Sequence, residues 1–348
     1  MEKPRCLLLF EESCRADATR RTYTKLFSYF LKWAHKDHES LLILPDDQLQ
    51  VLLEDYMLYC KKRYKKQGIQ GRFAAIEKFL FVNDRTINKK KLMMFLPEAA
   101  KNKQRAITNQ ECLDLIKHSS SNRVRAIIHL FAATGCRPEA LSRVRLRDIG
   151  QMPDGCLWII LYEDTKNELI TFVHSEAAKA VNQYLEDRKA NGELLKPESF
   201  LVRKKSFIVN ENTPKPVSIN SLESTLNHAM KQAGIKREKV DENRFDLAVC
   251  GGFRKRFNTI FKMNSNISYS ISEMFMDHKV GLEPNYTKPT KEQLFEEYKK
   301  AIPQLTIDDS ERLKFKNKKL EEEKSELEEK ASRIDDLERR MRVMEKSN

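Results

Sequence analysis

Apolar residues in positions 12–97 of this chain recur every three to four residues and never alternate, which confines the region to packed helices. In RRTYTKLFSYFLKWAHK, the residues Tyr23, Leu26, Phe27, Tyr29, Phe30 and Trp33 fall at i, i+3 and i+4 spacings. DDQLQVLLEDYMLYCKKRYKK repeats the pattern from Asp46 and carries it into a basic run. GRFAAIEKFLFVND supplies a third helix. Such stripes need one another to leave water, so they predict a small helical domain over 1–96. PEAAKNKQRA, 97–106, is polar, basic and aperiodic, and reads as a linker. Thr108 and Glu111 then form T-x-x-E before an apolar run, a capping box that starts a new helix.

A second domain is expected over 107–307, mixing helices with a few strands. Its clearest strand pair is CLWIILYEDTKNELITFVHS, two β-rich runs around the polar turn Asp164-Thr165-Lys166-Asn167. Helices are expected at 175–190 and 219–233, and FLVRKKSFI suggests another short strand. In the tail, 308–348, Leu313, Leu320, Leu327, Ile334 and Met341 recur every seven residues, with Leu337 and Met344 adding a second stripe only near the end. That predicts a long helix with coiled-coil tendency, its seam narrow in the first heptads. The fold class is therefore mainly α with a small β component.

Composition narrows the function. Lys and Arg number 64 against 51 Asp and Glu, a net charge of +13, so a polyanionic partner is the first to consider. The charge clusters: KKRYKK at 61–66 sets Lys61, Lys62, Arg63, Lys65 and Lys66 around one tyrosine, and NKKK follows at 88–91. The seven cysteines are scattered without a C-x-x-C pair, which argues against a disulfide framework or a zinc site and for a reducing compartment. No apolar run approaches the ~20 residues that cross a bilayer, and Glu11-Glu12 interrupt the N-terminal CLLLF before it could serve as a signal peptide. A soluble, cytoplasmic protein is expected.

One stretch raises a sharper question. In LFAATGCRPEALSRVRLRDIG, an apolar run ends at Thr134-Gly135, and Arg137 follows two residues later. A cation there is either solvated at a helix boundary or part of an anion site. GGFRKRFNTIFK carries Arg254, ISEMFMDHKVGLEPNYTKPT carries His278 and, eight residues on, Tyr286, and the hairpin turn offers Lys166. Singly, each is an ordinary surface group. Together they suit phosphoryl transfer on a DNA diester. Two guanidiniums neutralise the non-bridging oxygens, a lysine on a hairpin protonates the departing oxygen, and a phenol surrounded by cations serves as nucleophile.

The order Arg137, Lys166, Arg254, His278, Tyr286 resembles the tyrosine recombinases, the phage-integrase superfamily. ATGCRPEALSRVRLRDI resembles their first box, GGFRKRF their H-x-x-R box, and MDHKVGLEPNY the box that ends in the nucleophilic tyrosine. KPTKEQLFEEYKKAIPQLTI is similar to archaeal integrases, and the resemblance spans roughly 12–307. It implies a helical DNA-binding domain, an α+β catalytic domain, Tyr286 as nucleophile with Arg137, Arg254, Lys166 and His278 around the phosphate, and no cofactor or metal. It also implies double-stranded DNA as partner, contacted in part through the 61–66 run, and a homo-oligomer of two to four protomers on DNA. The chain departs from the pattern twice. Gly251 stands where H-x-x-R has its histidine, leaving Cys250 or Lys255 as substitutes, and Asp277 stands where G-H has its glycine. A site-specific recombinase is the expected function; a type IB topoisomerase and a catalytically silent DNA-binding regulator are the alternatives.

Overall fold

The computed structural model describes residues 3–98, 103–205, 215–241, 244–278 and 288–345. The chain divides into two compact units, 1–102 and 103–348.

The first unit holds helices α1 (Arg5–Glu12), α2 (Asp17–Ala34), α3 (His38–Leu42), α4 (Asp46–Lys61), α5 (Lys66–Val82) and α6 (Lys89–Met93). Its core is aromatic. Phe27 stacks on Phe79 at 4.2 Å between ring centroids, Phe10 meets Phe79 edge-on, and Phe30 meets Tyr56 at 4.9 Å. Each such ring stabilises the unit by roughly 2–3 kcal/mol through burial, so helices too short to persist alone hold one another. The structure corrects the helical reading of the basic run. The amides of Arg63 and Tyr64 turn back to the Cys60 carbonyl, ending α4 after Lys61, and Lys62–Lys65 form the turn into α5. α5 begins at Lys66, five residues before the expected Gly71.

The second unit runs through α7 (Asn109–Lys117), α8 (Asn122–Thr134), α9 (Pro138–Arg143), β1 (Ile149–Gln151), β2 (Leu157–Leu161), β3 (Leu169–Val173), α10 (Ser175–Ala190), α11 (Ile219–Gln232), β4 (Lys239–Asp241), β5 (Arg244–Phe245), α12 (Val249–Met263), α13 (Tyr269–Phe275), α14 (Lys291–Lys299), α15 (Ile302–Leu305) and α16 (Asp309–Glu345). β1, β2 and β3 form an antiparallel sheet in that order, with Ile149 opposite Ile159 and Leu157 opposite Val173. β2 alternates buried and half-buried residues, the period that made it legible. α8 lies at the centre, packed on α7, α10, α11, α12 and β3, which is why nearly every residue from Ala126 to Thr134 is buried, His129 included.

The capping box at Thr108 is present: its hydroxyl accepts from the Glu111 amide, and Glu111 accepts from the Thr108 amide at 2.8 Å. Arg105, within the segment read as linker, is bonded into the second unit. It pairs with Glu111 and Asp246 and bridges to Leu247. FLVRKKSFI makes only isolated bridges where it is described, Phe200 to Arg145 and Arg203 to Pro216. α16 leaves the body with Leu313, Leu320, Leu327 and Ile334 all exposed; the Met341 side chain lies outside the described ones.

Candidate active site

The sequence T-G-C-R works as a hinge of fixed shape. α8 ends at Gly135, whose φ of +57° is left-handed. A side chain there would be strained by the backbone, and its Cβ would stand 2.6 Å from the Phe257 ring on α12. Glycine therefore lets α12 press against the end of α8 and turns the chain at once. Thr134 braces the turn, its hydroxyl donating to the Leu130 carbonyl at 2.7 Å and accepting from the Cys136 amide. Arg137 follows as an extended residue at the head of α9, with Pro138 starting the helix.

Arg254 reaches the same place from α12. Its Nη1 donates to the Gly135 carbonyl at 2.9 Å, and its Nη2 donates to the Met276 carbonyl. Arg137 Nη1 donates to Oδ2 of the next residue, Asp277, at 2.8 Å. Consecutive residues after α13 thus cap both guanidiniums. Burial, and then the Arg137 charge, pull the Arg254 pKa below its ordinary range, as expected when two cations converge. The fold therefore brings together the two arginines singled out from sequence.

His278 is the neighbour of Asp277. Its Nδ1 meets Glu273 Oε2 at 2.8 Å, and the buried Glu273 also pairs with Lys262. Lys262 foremost, with His278 assisting, holds the Glu273 carboxyl below the usual range against the effect of burial. Such a pairing fixes which way the imidazole faces.

Lys166 is exposed in the β2–β3 turn, and among the described residues no hydrogen bond joins it to either arginine. The turn itself is well bonded: the Thr165 amide and hydroxyl both reach the Tyr162 carbonyl, and the Asp164 amide reaches Glu168 at 2.9 Å. At its root, Tyr162 adopts a left-handed φ of +59°. Burial pushes the Tyr162 phenol up, while the adjacent Arg137 guanidinium pulls it the other way. Tyr162, at the end of the strand that presents Lys166, thus lies close enough to feel the first arginine's charge, a proximity across sequence that no local pattern signals. Tyr286 lies outside the described residues.

Gly251 sits in the first turn of α12 and lines a cavity of about 630 Å³ shared with Pro138, Glu223, Arg237 and Arg244. Of the two residues named as substitutes for the absent histidine, one is buried and the other is bonded to a backbone carbonyl. Cys250 is buried, which pushes its thiol up to about 12. The Lys255 ammonium donates to the Gln104 carbonyl at 2.7 Å. Among the described residues, no cluster of His, Cys, Asp or Glu could hold a metal ion.

In the first unit, Lys61 is exposed at the end of α4, Lys62, Arg63 and Lys65 are exposed in the α4–α5 turn, and Lys66 is half-buried at the start of α5. Arg63 lies over the Tyr59 ring at 4.2 Å. Arg72 lies over Tyr64 at 3.9 Å and near Tyr29 at 5.6 Å, and Lys25 also lies near the Tyr29 ring. Cations and exposed rings thus share a face built from α2, α5 and the turn. The 61–66 run flagged one end of it; Arg72 and Tyr29 had no signal beyond helical spacing.

No protein-family model matches the chain, and no curated protein does. Solved structures do. The chain is similar to the Tn1549 transposon integrase in complex with transposon right end DNA, at 13% identity over 84% of this chain and 98% of that one, with a TM-score of 0.56. It is similar to a lambda integrase dimer bound to a COC' core site, at 14% identity over 84% and 100%, TM-score 0.53. It is also similar to the XerH site-specific recombinase bound to difH substrate before cleavage, at 16% identity over 80% and 78%, TM-score 0.51. At these identities the likeness is one of fold: the chain has the mainly helical tyrosine-recombinase fold with its small sheet.

Proposed function

We propose that the chain is a tyrosine-type site-specific DNA recombinase, an integrase, of the archaeal kind its segment after Tyr286 resembles. The observation that carries this reading is the convergence of Arg137 and Arg254, delivered by α9 and α12 to adjacent residues after α13. Two permanently charged forks held by adjacent residues suit the two non-bridging oxygens of one phosphodiester. The carbonyl anchors of Arg254 hold it ready before the charge develops. The DNA-bound integrases and recombinase that share the fold support the same choice of substrate.

In this mechanism, the Tyr286 oxygen attacks phosphorus, giving its proton to solvent water as the bond forms. The bond to the 5′ oxygen breaks, and Lys166 gives that oxygen a proton. The product is a 3′-phosphotyrosyl link and a free 5′ hydroxyl, which a second strand's hydroxyl can replace in the reverse step. His278, oriented by Glu273, contacts the same phosphate. Lys61, Lys62, Arg63, Lys65 and Lys66, with Arg72 beside them, hold the duplex backbone. Several protomers assemble on paired sites, with the exposed stripe of α16 as one contact, and the protein works in the cytoplasm, where its DNA lies. No described helix is long and apolar enough to cross a membrane.

Incubation with a suicide duplex, whose cleaved end diffuses away, followed by a denaturing gel, tests this reading. The expected result is a covalent adduct that Tyr286→Phe abolishes while retaining DNA binding. An adduct that persists in that variant would move the nucleophile elsewhere. A second reading, a silent DNA-binding regulator, is favoured by Gly251 and by the acid already paired with Arg137; the absence of any adduct from the unaltered chain would select it.

A further inference from the structure

Arg254 is capped by a neutral carbonyl, but Arg137 is capped by a full negative charge. Asp277 makes that contact from a left-handed φ of +52°, a conformation comfortable for glycine and tolerated by Asp and Asn. Its amide donates to the Met274 carbonyl at 3.0 Å, so the backbone that aims the carboxylate is held by the end of α13. The Arg137 side chain is 43% exposed and the Asp277 side chain 23%, so the pair sits at the mouth of the site, within reach of a ligand.

We propose that Asp277 is an internal occupant of the anion position on Arg137, which the DNA phosphate must displace before that arginine can act. This rests on the recombinase reading of the two arginines. A phosphodiester carries the same charge as the carboxylate and competes for the same guanidinium. The carboxylate already on Arg137 cancels its charge and repels an approaching phosphate, so the phosphate gains the full attraction of that arginine only once Asp277 has moved aside. Arg254, bound only to carbonyl dipoles, keeps its full attraction for phosphate throughout. The site is thus asymmetric: one arginine always open to DNA, the other released only when a duplex seats well enough to expel the acid. Loosely held DNA meets a half-neutralised site, and selectivity for the seated complex follows.

Salt dependence of binding reads this directly. While Arg137 stays paired with Asp277 it neutralises no phosphate, so no cation condensed on the duplex is released there, whereas a freed Arg137 displaces one. Asp277→Asn removes the charge while keeping a residue that tolerates the left-handed backbone; Asp277→Gly removes the side chain and is at ease there. With a short random-sequence duplex, each should bind about tenfold more tightly than the unaltered chain at low salt, with a log–log salt slope steeper by about 0.9, one phosphate's worth. Adding Arg137→Ala to Asp277→Asn should erase the gain. If that double variant binds as tightly as Asp277→Asn alone, Arg137 holds no phosphate and the reading of the site fails. If the double variant is weaker while both single variants match the unaltered chain, the arginine's role stands and the displaced-acid proposal is overturned. Weaker binding by both single variants, with unchanged circular dichroism, also overturns it, because Asp277 would then be holding Arg137 in place for DNA.

Discussion

The first unit's core is built from rings, Phe10, Phe27, Phe30, Tyr56 and Phe79 among them. The second unit's core buries, beside its own phenylalanines, His129, His174, Thr171 and Arg256. Among the described residues, every buried polar or charged side chain lies in the second unit. Some are well served: Arg256 Nη2 donates to Asn109 and to the carbonyls of Gln304 and Leu305. Others are not. Neither ring nitrogen of His174, nor Nδ1 of His129, has a described hydrogen-bond partner, although Glu176 stands 4.0 Å from His174 Nδ1. A core of rings is held by contact area, and its buried titratable groups, Tyr56 and Cys60, are held protonated by burial, so it takes up no proton between pH 7 and 5. A core with buried titratable groups gains fixed register from its hydrogen bonds but becomes sensitive to pH and to small errors of shape. The unit that carries the candidate chemistry is the sensitive one.

The sharpest way to break this contrast is at Gly135. Ala there combines a left-handed backbone with overlap on Phe257, a cost of roughly 3–4 kcal/mol that should move the second unit's transition in a denaturant melt and leave the first unit's alone. Equal loss in both transitions would mean that the units do not unfold separately. Next, Arg254→Lys should slow adduct formation by about 3 kcal/mol of barrier, since a point charge cannot reproduce the fork. A rate within a factor of two or so of the unaltered chain would return Arg254 to a structural role.

Acid gives a smaller, graded effect. Burial lowers His129 from 6.5 to about 4, and burial, His129 and Arg256 lower His174 to about 3. Both are neutral in the fold near pH 6, whereas in the unfolded chain they take protons as pH drops below 6.5. The unfolded state then binds more protons, so stability falls with pH, by up to about 1.4 kcal/mol per unit for each histidine. The decline continues until about pH 4 for His129 and about 3 for His174. Glu176, raised by burial, opposes it at the acid end. Chemical denaturation between pH 7 and 5 should show the second transition weakening and the first holding still. Smallest of all in stability is neutralising Lys61, Lys62, Arg63, Lys65 and Lys66. That should leave both transitions in place and flatten the salt slope of DNA binding by about 0.9 for each phosphate that no longer meets a cation.

What the sequence made legible was whatever rests on local period or local chemistry. α10 fills the expected 175–190, β2 and β3 flank the expected turn, and Thr108 with Glu111 caps the expected helix. β1, β4 and β5 are too short to show a period and exist only through their partners. The basic run read as helix because lysines fit any exposed helical face; only the amides turning back to Cys60 end it. In the site, Arg137 and Arg254 were visible by motif. The Arg137–Asp277 pair, the Tyr162 contact and the Phe257 ring against Gly135 join residues far apart in sequence, and no local signal encodes them.

The root of the tail carries a mechanical consequence. Both carboxylate oxygens of Glu176, at the head of α10, accept from the chain just before α16: Ile307 N at 2.8 Å and Asp308 N at 2.9 Å. Beyond that clamp, Lys179 reaches Glu311 and Lys318 reaches Asp154. The long helix therefore leaves the body through a rigid socket rather than a swivel. A swivel would absorb any pull on the exposed stripe; this socket makes the tail a lever arm, and torque on it loads α10 first. α10 lies along α8, and α8 ends at the turn that aims Arg137.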